Sequence, residues 1–151
     1  LSMPAYWRNP EATEAAFHEG WLRTGDLARM EDDGYVYFVD RAKDMIVSGG
    51  ENIYPAEVEN VLMAHPGIAD AAVIGVPDEK WGEIACAIVV GNQGETSEED
   101  IIARCAEKLS RYKLPKKVIF IEEIPRNPAG KVLKRDGKIT WIQPSQLKVL
   151  N

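Results

Sequence analysis

Cysteine and histidine are scarce in this chain, with two of each among 151 residues. Cys86 and Cys105 lie in apolar contexts, strand-like and helix-like, which reads as reduced core residues rather than a disulfide or a metal pair. His18 and His65 have no ligand spacing to a cysteine or to one another, so no metal site is expected. Long hydrophobic runs are missing too. Stretches such as Ile84–Val90 fall far short of the roughly 20 apolar residues that span a bilayer. The start, Leu1-Ser2-Met3-Pro4, pairs no basic region with an apolar stretch, so no signal peptide is expected and the cytoplasm is the expected compartment. A broad basic face is absent as well: the net charge is −6, which argues against bulk nucleic-acid binding.

What is present is ordinary for a globular protein, 45% hydrophobic and 28% charged, of a length that fits one domain with a piece of another. The charge is unevenly spread. Residues 108–138 carry ten lysines and arginines against three acids, so an acidic body has one basic segment. That suits a small polyanion held at one edge, although charge alone equally describes a solvated face.

Along the chain, residues 1–25 read as irregular or briefly helical. Asp26–Met30 and Tyr35–Asp40 flank an Asp-Gly hairpin signal, Asp33-Gly34. Met45–Val47 and Asn52–Tyr54 flank Ser48-Gly49-Gly50-Glu51, a second, glycine-rich hairpin. Pro55 suits the first turn of a helix whose apolar face is Val58, Val61 and Leu62, and His65-Pro66-Gly67 stops it. Ala71–Val76 and Ile84–Val90 read as buried strands, with Trp81-Gly82-Glu83 between them as turn and packing. Thr96 with Glu99 predicts a capping box for a helix burying Ile101, Ile102, Cys105, Ala106 and Leu109. Val118–Ile121 is another strand. There are no internal repeats. This order predicts an α+β domain, a short mixed sheet covered by helices, while residues 1–40 lack a core of their own.

Pro125-Arg126-Asn127-Pro128-Ala129-Gly130-Lys131 presents a lysine on a loop stiffened by two prolines and freed at one glycine. Val132, Leu133, Lys134 and Arg135 are helix-compatible, which predicts the ammonium near a helix N-terminus, suited to a phosphate or carboxylate.

Four segments in order carry a resemblance: Gly20-Trp21-Leu22-Arg23-Thr24-Gly25-Asp26-Leu27, Asp40-Arg41-Ala42-Lys43-Asp44-Met45-Ile46, Ser48-Gly49-Gly50-Glu51-Asn52-Ile53-Tyr54-Pro55, and the Lys131 loop. Together they resemble the C-terminal part of the adenylate-forming superfamily, most closely its acyl-CoA synthetases (fatty-acid or aryl-acid CoA ligases). The resemblance implies a small lid domain, residues 41–138, preceded by the tail end of a large N-terminal domain, residues 1–40, and followed by a tail, 139–151, that departs from the family pattern. It implies a two-step reaction. ATP and a carboxylic acid give an acyl-adenylate and pyrophosphate, and the acyl group then passes to the thiol of coenzyme A.

The same resemblance assigns roles. Lys131 is the adenylation lysine, Asp26 and Arg41 contact the ribose of ATP or AMP, and Lys43 is the hinge. Gly49 and Gly50 approach the pantetheine arm, and Tyr112 and Lys116 the CoA nucleotide. The family's phosphate loop and acid pocket are absent from this sequence, and Mg2+ would be bound with ATP through the missing N-terminal domain. The expectation is therefore a catalytically incomplete fragment that needs that domain as partner. A stand-alone CoA-binding module and a self-associating interaction domain remain open as alternatives.

Overall fold

The computed structural model describes residues 3–91 and 96–133. The expected 139–151 tail and the end of the expected lid, 134–138, lie outside them. The chain divides into two compact units that part between Ala42 and Lys43.

The first unit holds a short helix α1 (Pro10–Ala16), the two-residue strands β1 (Phe17–His18) and β2 (Trp21–Leu22), and the hairpin β3 (Asp26–Met30) with β4 (Val36–Arg41). Asn9 caps α1 by accepting a hydrogen bond from Ala12 N–H at 3.0 Å, and Pro10 follows at the first turn, where its missing N–H costs nothing. None of its described apolar side chains is buried, and Trp7, Trp21, Tyr35, Val36 and Phe38 are strongly exposed. A two-stranded hairpin has no second layer to cover it, as its lack of a hydrophobic core in the sequence indicated.

The second unit is an α+β layer structure. Strands β5 (Ile46–Ser48) and β6 (Glu51–Ile53) form the glycine hairpin, helix α2 (Pro55–Met63) follows, and β7 (Ile68–Asp78) and β8 (Gly82–Gly91) form a long antiparallel pair. Helix α3 (Glu98–Ala106) and β9 (Lys117–Ile121) complete it. β8 pairs antiparallel with β5 at its start and parallel with β9 from Cys86 to Val90, so the sheet is mixed.

Alternation on β7 and β8 sorts the core into two faces. Ala71, Val73, Ala85, Ala87 and Val89 pack with Val58 and Leu62 of α2 and Ile101 and Cys105 of α3. Ala72, Ile74, Val76, Ile84, Cys86 and Ile88 face the other way, against Ile124 and Val132. Among the described residues, helices therefore cover one face only. The other is covered by the chain leading into and out of the lysine loop, because strands buried on both faces need cover from whatever follows them.

Local expectations change at several points: Phe17–His18 and Trp21–Leu22 pair as short strands where irregular or helical chain was expected, and on α3 Ala106 is exposed and Ile102 only half-buried. The cap of α3 is Ser97, one residue later than expected. Its Oγ accepts from Asp100 N–H at 3.1 Å, and the Asp100 carboxylate accepts from Ser97 N–H at 3.3 Å. Thr96 is buried instead against Gly67, where a Cβ would lie 1.9 Å from its Oγ1. After Lys131 no helix begins within the described residues. Val132 forms an antiparallel bridge with Arg126, since an apolar residue there gains more from covering the sheet than from a helical turn. Lys134 and Arg135 lie outside the described residues.

Cys86 and Cys105 are free and buried, and burial pushes the Cys86 thiol up to about 12. Replacing Ile101, fully buried between α3 and the sheet, by alanine is expected to cost about 2–5 kcal/mol by chemical denaturation. A loss below about 1 kcal/mol would show that α3 is not part of the cooperative core.

Candidate functional site

The glycine hairpin turns on two residues in left-handed conformation. Gly49 and Gly50, between β5 and β6, have φ of +59° and +87°, the left-handed values that a two-residue hairpin loop of the primed type requires. A Cβ on Gly49 would stand 2.7 Å from Trp81 Cε3, so the indole lies directly on the backbone. Gly49 N–H also donates to Trp81 O at 2.8 Å. Trp81 is set by the β7–β8 turn, where the Asp78 carboxylate accepts from both Lys80 N–H and Trp81 N–H. Lys116 closes over the indole, its Nζ 4.0 Å from the ring centroid, a cation–π arrangement.

Around this stack is a cleft of about 620 Å³ lined by Ser48, Gly49, Glu51, Trp81, Ile102, Arg111, Tyr112, Leu114, Pro115 and Lys116. That volume is in the range of small-molecule sites. The lining combines apolar surface with the cations of Arg111 and Lys116 and the exposed ring of Tyr112, a chemistry suited to a flat, anionic ligand. Tyr112 lies in the 3-10 turn Arg111–Lys113. That turn is tied to α2 by Lys113, whose Nζ donates to both carboxylate oxygens of Glu57 at 2.7 Å. The bond to Glu57, against opposing desolvation, raises the Lys113 pKa.

The sequence-derived candidates therefore fall into separate groups. Gly49, Tyr112 and Lys116 meet in one cleft, and Gly50 completes the turn that forms its rim. Trp81, expected only to pack, is central to that cleft. An exposed tryptophan beside a turn glycine was the available signal. Asp26 and Arg41 meet in the first unit as cross-strand partners, Arg41 Nη1 lying 2.7 Å from Asp26 Oδ1. The Arg41 Nε is buried without a hydrogen-bond partner among the described residues. Lys43 is exposed in the 3-10 turn Ala42–Asp44, at the junction where the two units part.

Lys131 belongs to neither group. Its loop is fastened to β7 at Asp70, through Arg126, and Asp70 pairs with Val90 near the end of β8. Gly49 is fastened at the other end, where Ser48 pairs with Gly82. Eight residues of extended strand separate these points, roughly 27 Å. The lysine and the cleft thus sit at opposite ends of one strand. Among the described residues no cluster of three or more His, Cys, Asp or Glu side chains could hold a metal ion, and no helix is long and apolar enough to cross a membrane.

Residues 57–131 match the AMP-binding enzyme C-terminal domain family. The chain is 63% identical over 134 residues to a long-chain-fatty-acid–CoA ligase, FadD13, of Mycobacterium tuberculosis, a match covering 89% of this chain and 27% of that protein. It is 49% identical over 131 residues to a 2-succinylbenzoate–CoA ligase of Bacillus cereus, covering 87% and 27%. Among solved structures, o-succinylbenzoate CoA synthetase from Bacillus subtilis in complex with the acyl-adenylate intermediate superposes with a TM-score of 0.81. There the identity is 42%, over 91% of this chain and 29% of that one. The chain thus spans about a quarter of the length of the curated relatives it matches.

Gly49→Ala is expected to destabilise the chain by about 1–2 kcal/mol from backbone conformation alone, plus the clash with Trp81. In a Trp81→Ala background only the first part should remain, so a denaturation double-mutant cycle reads the contact. Equal costs in both backgrounds would remove the indole from the hairpin. For Lys113, a raised pKa means that its contribution is complete below the ordinary value of 10.5 and is lost as pH rises through the higher folded value. Subtracting Lys113→Met from the parent stability curve should give a difference of about 1 kcal/mol or less, Glu57 being partly exposed, that vanishes above that range. A pH-independent difference would mean that packing, not charge, ties the turn to α2.

Proposed function

Residues 57–131 belong to the AMP-binding enzyme C-terminal domain family, and on that premise we propose that this chain is the C-terminal part of an ATP-dependent, AMP-forming acid–CoA ligase. The observation that carries the proposal is the placement of Lys131 and the Gly49–Trp81 cleft at opposite ends of β8. A rigid sheet cannot bring two points roughly 27 Å apart to one reacting carbonyl together. A domain that presents first one end and then the other can serve two successive reactions.

In the first reaction the acid's carboxylate attacks the α-phosphorus of ATP and pyrophosphate leaves. Lys131 supplies a mobile positive charge where the carboxylate and the α-phosphate meet. Asp26 offers two carboxylate oxygens to the ribose diol, and Arg41, its partner at 2.7 Å, orients it and adds the second ribose contact. In the second reaction the thiol of coenzyme A attacks the acyl carbonyl and AMP leaves. Gly49 and Gly50 let a thin pantetheine arm run close to backbone. Tyr112 offers an aromatic face, and Lys116 and Arg111 offer charge to the CoA phosphates. Lys43, at the junction of the two units, absorbs the backbone change that exchanges the ends.

Mg2+ accompanies ATP through the part of the longer protein that precedes this chain, together with the acid pocket. The exposed aromatic and apolar side chains of the first unit are the surface that this preceding part covers. A buried position in the full protein explains why Trp7 and Trp21 are 86% and 80% exposed here. The chain alone binds no acid and completes no turnover.

The test is a crossed one, in the full-length polypeptide containing this chain. Lys131→Ala is expected to slow acyl-adenylate formation about 10²–10³-fold while leaving thioester formation from supplied acyl-adenylate within twofold. Lys116→Ala is expected to raise KM for CoA in the second reaction alone. Equal losses in both half-reactions for either variant would sink the division of labour between the two ends.

A further inference from the structure

We propose that Asp70 and Arg126 form a positioning pair that holds the Lys131 loop in the shape from which the lysine acts; the inference rests on the role of Lys131 proposed above. Arg126 Nη2 donates to both oxygens of Asp70, at 2.7 and 2.8 Å, while its Nη1 donates to Gly130 O at 2.9 Å. One guanidinium thus spans from the sheet to the peptide immediately before the lysine. Asp70 is aimed by a register irregularity in β7 between Ile68 and Asp70, a device that redirects a side chain at a strand end.

The loop itself is closed from both sides. Asn127 Oδ1 accepts from Ala129 N–H at 3.0 Å and from Lys131 N–H at 2.9 Å, and Asn127 N–H donates to Lys131 O at 2.8 Å. The Arg126–Val132 bridge seals its base. Both backbone polar groups of Lys131 are therefore engaged, and its exposed side chain retains the freedom. Every one of those contacts lies inside the loop except the Arg126–Asp70 fork. That fork and the packing of Val132 fix the loop against the sheet.

An ion pair between partly exposed groups contributes little to stability. A guanidinium that holds the carboxylate through Nη2 and the Gly130 carbonyl through Nη1 fixes orientation, and orientation matters where a misplacement of about 1 Å can cost about 10²-fold in rate. The pair therefore acts on the reaction and hardly on the fold. Lysine in place of Arg126 would keep the charge but lose the second nitrogen that ties Gly130 O to the same group.

Two measurements test this. In the 151-residue chain, Asp70→Asn and Arg126→Lys are each expected to raise amide hydrogen exchange at Ala129 and Lys131 about tenfold, with Val73 and Cys86 unchanged. Unchanged loop exchange in both variants would overturn the pair's role, whatever the chain's reaction. In the full-length enzyme, both variants are expected to lower kcat for adenylation about tenfold or more. KM for ATP and thioester formation from supplied acyl-adenylate should stay as in the parent, and Asp70→Glu, which keeps a two-oxygen acceptor, should retain more rate than Asp70→Asn. Equal loss in both half-reactions, or intact adenylation despite a loosened loop, would overturn it. Failure of the ligase reading itself looks different: Lys131→Ala would leave adenylation intact while the exchange result stood.

Discussion

The β7–β8 ladder runs in continuous register from Asp70–Val90 to Asp78–Gly82, and the rest of the second unit hangs on it. Each pair fixes the next, because a slip by one residue would turn the whole apolar set to the wrong face. With one face under α2 and α3 and the other under Ile124 and Val132, neither can be given up. The ladder therefore behaves as a stiff beam. Its two ends are where chemistry-bearing residues attach, through the Gly49 turn at one and the Arg126–Asp70 fork at the other.

The attachments differ in kind. At the cleft end the chain is held by close approach: glycine against indole, indole under a lysine, a 3-10 turn tied to α2 by Lys113. Binding surfaces benefit from such crowding, since aromatic faces already in place lose little freedom when a ligand arrives. At the lysine end the loop is held by directional hydrogen bonds around an otherwise unencumbered side chain, whose freedom suits a charge that must reach a reacting group. The first unit is different again. Its hairpin brings Asp26 and Arg41 into register but buries no apolar side chain among those described, so it supplies polar groups without a core.

Much of this was legible in the sequence. Periodicity and turn residues placed β3 to β9, the glycine hairpin and α2, because those signals are local and the chain obeys them, while the short β1–β2 pair was not foreseen. The motif order around Asp26, Arg41, Gly49 and Lys131 marked the family, and the matched relatives agree. What could not be read was set by distant residues. The cap moved from Thr96 to Ser97 because Thr96 is needed against Gly67, a contact 29 positions away. The expected helix after Lys131 lies mostly outside the described residues, and at its start Val132 pairs with Arg126 instead, covering the sheet. Asp70 and Arg126, 56 residues apart, offered no local pattern at all, and only the fold lays Trp81 on Gly49 at the cleft.

The length of β8 has one more consequence. Sites that share no partners and lie well over about 10 Å apart respond to substitution additively, and here the two ends are joined by β7, β8 and β9 rather than by a shared side-chain partner among the described residues. Substitutions at the cleft would leave the lysine end undisturbed, and the reverse holds too. If the proposed two-step ligase reading holds, a lineage carrying this domain can adapt one step without renegotiating the other, so that selection meets two separable traits in a single small fold.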